Sequence, residues 1–161
     1  NGTSILMLIC GIDPGTNGAI CVLDSKDSAH VVLFDLKKAT VWDIYNHLFT
    51  YNPDFIWIED VHSMFGMSAK SNFTFGRNLG SIHAIAEINC FGRTPNTVAP
   101  KVWQKFIGVT AKGKWIKKEV AQIATKLYPA ANIRGKRGGL LDGRSDALMI
   151  AHYGLHNKEK V

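Results

Sequence analysis

Two short apolar runs in this chain each stop at a carboxylate. Residues 7–12 are mostly apolar and end in Gly11-Ile12-Asp13-Pro14-Gly15, and residues 55–58 end in Glu59-Asp60. Both read as strands. An acid straight after an apolar strand is costly to place unless it is paired, hydrated or bound to a metal. If the two strands lie side by side, Asp13 and Glu59 share one end of a sheet. Asp142 and Asp146 are four apart in a helical pattern, so both project from one face of a final helix. All four carboxylates can then meet. Such a cluster repels itself and raises its own pKa values unless divalent cations neutralise it. All-oxygen ligands suit Mg²⁺ or Mn²⁺. Two such ions about 3.5–4 Å apart clamp an in-line attack on a phosphodiester, one activating water and the other stabilising the leaving oxygen. Taken singly, each acid also has an ordinary structural reading, as a turn residue or, for Asp142, a helix cap.

The pattern around these acids predicts the order β-β-β-α-β-α-β-α-α-α. Strands are expected over 7–12, 19–23 and 30–36 as a three-stranded meander, then over 55–58 and at 97–98. Thr40 is a candidate cap for a helix over 41–49 with Val41, Ile44, Tyr45 and Leu48 inward. Residues 61–71 read as a loop, 72–89 as a helix that buries Phe73 and Phe75, and 101–107 as a short helix with Pro100 in its first turn. Residues 108–113 read as a flexible basic link. Helices are expected over 115–127, with Ile116, Val120, Ile123, Ala124 and Leu127 inward, and over 141–155. The 132–139 segment reads as a basic loop.

The chain has 161 residues and a net charge of +6. That length suits one domain with a real core. Residues 7–157 are expected to form it, with residues 1–6 an expression scar or a disordered N-terminus. The charge is uneven. Residues 1–80 hold five basic and eight acidic side chains, a net of −3, and residues 81–161 hold fourteen and five, a net of +9. Between Lys101 and Arg144 only Glu119 and Asp142 oppose eleven cations. This stretch is either a solvated face or a surface that contacts phosphates. No run approaches the roughly 18 apolar residues of a membrane span. No signal-peptide pattern opens the chain, and Cys10, Cys21 and Cys90 show no paired spacing. A cytoplasmic protein is expected.

The segments Gly11-Ile12-Asp13-Pro14-Gly15, Ile58-Glu59 and Ser145-Asp146-Ala147-Leu148, in that order, resemble the RuvC family of Holliday junction resolvases. The likeness runs over nearly the whole chain. The Asp142–Leu148 run, followed by Ile150-Ala151-His152-Tyr153-Gly154, is similar to the phage and plastid branch, and Phe75-Gly76-Arg77-Asn78-Leu79-Gly80 looks like the segment after the catalytic Glu. The resemblance implies an α/β, RNase H-like fold: a mixed central sheet, an antiparallel meander plus parallel strands, flanked by helices. It implies a homodimeric endonuclease that nicks two opposed strands of a four-way DNA junction with two Mg²⁺ or Mn²⁺ ions per site. Asp13, Glu59 and Asp146 would be metal ligands, with Asp142 the fourth at a spacing of four where bacterial members have three. Lys117, a better match than Lys118, would approach the scissile phosphate. The family wedges the junction with an aromatic just after the catalytic Glu; here His62 holds the near equivalent position and Phe65, the candidate wedge, lies further on. Arg77, Lys112, Lys114, Lys118, Arg134, Lys136 and Arg137 would hold DNA backbone without reading sequence.

Gly76, Gly80 and Ala84 recur along one helix face. Small residues there suit either a helix pair across a dimer interface or packing on the sheet. The resemblance favours the dimer, which matches a junction with two equivalent scissile phosphates. The 11–19 segment also looks like the phosphate loop of two-lobed ATPases, but 161 residues leave room for one lobe. A YqgF-type nuclease acting on RNA, a broad debranching nuclease and a catalytically silent junction binder are the remaining alternatives. His152 and His156 lie four apart, yet no Cys stands in ligand spacing with them, so packed or solvated histidines are expected rather than zinc ligands.

Overall fold

The computed structural model describes residues 5–62, 66–92 and 94–158. Strands β1 (Leu8–Asp13), β2 (Ala19–Asp24), β3 (Val31–Asp35), β4 (Phe55–Glu59) and β5 (Asn96–Val98) form one sheet in the order β3-β2-β1-β4-β5. The first three are an antiparallel meander, and β4 and β5 run parallel to β1 and to each other. Helices α1 (Val41–Tyr51), α2 (Ala69–Asn89), α3 (Pro100–Phe106), α4 (Ile116–Leu127) and α5 (Asp142–Asn157) cover both faces, with a 3-10 turn at Gly113–Trp115. The expected order of elements is the observed one. Among the described residues no helix is long and apolar enough to cross a membrane.

Alternation along the strands divides the core. Cys10, Ile12, Ile20, Val22, Ile56 and Ile58 face α1 and α2. Ile9, Cys21, Leu23 and Trp57 face α4 and α5. Helix α5 lies across the sheet centre, and Ala147, Leu148, Met149, Ile150 and Ala151 are all fully buried. Its approach to β1 is close because Gly11 has no side chain. A Cβ there would come within 3.0 Å of the Ala147 carbonyl and of Ala151 N and Cα. Gly143 does the same against the β1–β2 turn, where a Cβ would strike the Asn17 carbonyl.

Local chemistry explains most boundaries. Thr40 caps α1 in a full capping box: its Oγ1 accepts from Asp43 N at 3.1 Å, and Asp43 Oδ2 accepts from Thr40 N at 2.8 Å. Asn52, left-handed at φ 43°, ends the helix before Pro53. Ser68 caps α2, so the helix begins at Ala69 and takes the end of the expected 61–71 loop. Pro100 occupies the first turn of α3.

Several side chains depart from expectation. Val41 is 56% exposed while Ile44 and Leu48 are buried; the apolar arc of α1 is wider than the stripe the sheet covers. On its outer part Trp42 and Phe49 stack on Tyr45, at 5.5 and 5.8 Å, and Tyr45 itself packs against the core as expected. Phe73 is 73% exposed and not core. Helix α2 has 21 residues, about 30 Å, and overhangs strands of five or six residues, so its burial starts at Ile82. Leu127, the last residue of α4, is 42% exposed. The 108–113 link is tethered: Glu119 accepts hydrogen bonds from Thr110 N at 2.9 Å, Ala111 N at 2.6 Å and Thr110 Oγ1 at 3.1 Å. Phe65 lies outside the described residues.

Candidate active site

Strand register fixes the first two acids. Ile12 pairs with Ile58 across the parallel β1–β4 ladder, so Asp13 and Glu59, the next residues, stand side by side at the ends of adjacent strands. They follow Gly11 and Trp57 at a spacing of two and therefore share the α5 face. Asp60 belongs to the opposite side, and its side chain is 46% exposed near His62. The close seat of α5 on Gly11 then brings Asp146, one residue before Ala147, to the same place.

The charges confirm the convergence. Burial raises the pKa of Asp13, while the backbone hydrogen bond from Gly15 N to Asp13 Oδ1, at 3.0 Å, holds it down and Asp142 raises it. Glu59 is pushed up to about 7, first by burial and then by Asp13. Asp146 is pushed up to about 8, by burial and then by Asp13, Glu59 and Asp142. Asp146 feels Asp13, Glu59 and Asp142, Glu59 feels Asp13, and Asp13 feels Asp142, as expected of carboxylates near one another. Lys117, at the start of α4, donates to Asp142 Oδ2, and its pKa is raised by that bond and by the charges of Asp146 and Asp13. Lys117 thus reaches the acids. Lys118 lies instead beside the Trp115 ring, 6.0 Å from its centroid.

Asp142 is not the helix cap. Leu141 occupies that position without a side-chain bond, and Asp142 sits in the first turn facing Lys117. Its neighbour Arg144 belongs to the basic stretch but does not face outward for phosphate. It makes a two-pronged pair with Asp35 at the end of β3, both bonds 2.7 Å, and donates to the Asn132 carbonyl at 2.8 Å. Trp103 is a partner that sequence reading missed. Fully buried on α3, it donates Nε1–H to Glu59 Oε2 at 2.8 Å and lowers the Glu59 pKa against the effect of burial. A buried indole usually finds an acceptor, but nothing in the sequence says which.

The donors are all carboxylate oxygens, the set that a hard divalent cation takes. Among the described residues no three His, Cys, Asp or Glu side chains stand close enough together to hold one ion. Asp142 is engaged by Lys117 and Glu59 by Trp103. The donor set fits divalent cations in chemistry and charge.

The remaining candidates are spread around this centre. Lys112, Lys114, Lys118, Arg134, Lys136 and Arg137 are exposed, and Arg134 also donates to the Gly138 carbonyl at 3.1 Å. Arg77, Gly76, Gly80 and Ala84 are exposed on α2, and nothing lies within 4 Å of a Cβ built on either glycine. His152 shares a hydrogen bond of 2.7 Å with the Tyr128 hydroxyl, and burial draws its pKa down to about 4. It is a packed histidine.

This architecture is found in solved structures of RuvC. Thermus thermophilus RuvC in complex with a Holliday junction substrate matches with a TM-score of 0.62 at 16% identity, over 96% of each chain. A second Thermus thermophilus RuvC structure matches with a TM-score of 0.60 at 17% identity, again over 96% of each chain. No protein-family model and no curated protein matches the chain. The fold is therefore the RNase H-like α/β fold of RuvC.

Proposed function

We propose that this chain is a RuvC-type resolvase: a metal-dependent endonuclease that nicks four-way DNA junctions in symmetric pairs. One observation carries the reading. Acids from three separate elements, Asp13, Glu59 and Asp146, crowd one end of the sheet against their own repulsion, with the cation of Lys117 beside them. A protein that only bound DNA would gain nothing from negative charge facing phosphate. The fold shared with RuvC, solved on a junction substrate, supports the choice of DNA.

The step is hydrolysis. Water adds to the scissile phosphorus, the bond to the bridging oxygen breaks, and a phosphate monoester and a hydroxyl result. Asp13, Glu59, Asp142 and Asp146 would hold two Mg²⁺ or Mn²⁺ ions, which supply charge neutralisation at the attacking and leaving oxygens. Lys117 stays protonated at neutral pH, because its neighbours raise its pKa. Freed from Asp142 it stabilises charge on the phosphate. Lys117→Gln should slow single-turnover nicking about 10²-fold, the usual cost of one electrostatic donor, with junction affinity reduced far less.

Helix α2 supports a dimeric reading. Gly76, Gly80 and Ala84 lie exposed with Phe73 and Ile88 on the same overhanging helix, a surface for a second copy. The lysines of the 112–118 segment and the 134–137 loop would hold the arms of the junction, and Phe65 would wedge its centre. The deciding experiment presents a synthetic four-way junction with Mg²⁺, alongside linear duplex, flap and structured RNA. Paired, symmetric cuts in the junction are expected. Preferential cutting of RNA would move the reading to a YqgF-type nuclease, equal cutting of flaps to a debranching enzyme, and a monomeric mass in solution would argue against coordinated nicking.

A further inference from the structure

We infer that Trp115 is a stacking platform for an unpaired base of the DNA, placed beside the cutting centre to sense broken base stacking. The inference rests on the proposed action on branched DNA and names how that site would select it. Trp57 and Trp103 are buried, and Trp42, though exposed, lies against Tyr45. Trp115 is 58% exposed, and among the described residues no aromatic ring stacks on it. Lys114 Nζ and Lys118 Nζ stand over its ring instead, 5.2 and 6.0 Å from the centroid. A base that displaces these two ammonium groups from the indole finds them beside its flanking phosphates.

The ring is held in a defined place. It ends the Gly113–Trp115 turn, where Gly113 adopts φ 57° and Trp115 N donates to the Lys112 carbonyl at 3.3 Å. The preceding link is tied down by Glu119. Helix α4 starts at the next residue, and Lys117 in its first turn reaches the site acids. Trp115 thus stands two residues before the lysine that reaches the site acids. A continuous duplex offers no free base face there, whereas a branch point does.

The test compares the protein with Trp115→Ala, Trp115→Phe and the Lys114→Gln/Lys118→Gln pair, with Ca²⁺ in place of Mg²⁺. Affinity is read by anisotropy on three DNAs: a four-way junction, a linear duplex of the same arms, and a single strand of about ten nucleotides, within the usual site size. Trp115→Ala should weaken junction and single strand about tenfold, the size of one base–aromatic stack, and duplex less than about twofold. Trp115→Phe should keep most of the affinity. The lysine pair should weaken all three DNAs alike and flatten the salt dependence. Equal losses on all three DNAs with Trp115→Ala, or no loss on the single strand, overturn the inference. A wild-type protein that binds junction no better than duplex defeats the proposed function instead, and the single strand still decides on Trp115.

Discussion

Asp146→Asn is expected to abolish nicking, by more than about 10³-fold and so beyond the cost of losing one electrostatic donor, while junction binding stays intact or tightens. Asp146 is the most strongly perturbed site acid, pushed up to about 8 by burial and by Asp13, Glu59 and Asp142. Asn keeps its shape and removes its charge. Quantified cutting of a labelled junction and a parallel binding titration check both halves, and full activity in the variant sinks the site. The same substitution has a stability signature without divalent ions. The folded protein keeps a proton on Asp146 up to about pH 8 and on Glu59 up to about pH 7, where the unfolded chain has lost both near its ordinary 3.8 and 4.5. Folded protein thus binds more protons, and stability falls as pH rises from about 4 to about 8, by about 1.4 kcal/mol per unit for each full proton. Asp146→Asn should flatten that slope in thermal melts run in EDTA, and added Mg²⁺ should flatten it in the wild type.

Gly11→Ala should destabilise the fold by at least about 3 kcal/mol, the upper range for overpacking, and disable the site with it. The added methyl would meet backbone, the Ala147 carbonyl and Ala151 N and Cα, and not the end of a side chain that can swing away. Relief therefore requires α5 to lift from β1. Lifting α5 carries Asp146 away from Asp13, so loss of activity accompanies loss of stability. Urea denaturation measures the first. A wild-type midpoint would show that the contact has slack and that Asp146 is placed by other bonds.

Much of this was legible in the chain. The apolar runs, the Thr40 cap, Asn52-Pro53 and Pro100 announce their elements because each acts within a few residues. Asp13 and Glu59 could be paired in prospect because both end strands, and Asp142 and Asp146 because a spacing of four keeps a helix face. What stayed hidden depends on distant partners. Trp103 meets Glu59 across 44 residues and Arg144 meets Asp35 across 109, and no local pattern marks either pair. Phe73 lies on an apolar face that periodicity reports, but periodicity does not report how far the sheet extends beneath it. The 108–113 link looked loose from its glycines, yet Glu119, eight and nine residues on, ties it.

The Arg144–Asp35 pair gives the edge of the sheet a say in chemistry it does not perform. Strand β3 carries none of the proposed ligands, and β2 and β1 separate it from β4. Yet Asp35 grips the turn of α5 that lies between Asp142 and Asp146. Together with the Gly143 contact, this braces the start of α5 against the meander from two directions. The meander therefore helps to seat the turn of α5 that carries Asp142 and Asp146. Drift in the meander that leaves every ligand in place would still detune the centre, as a shifted hinge misaligns a latch whose parts are all sound.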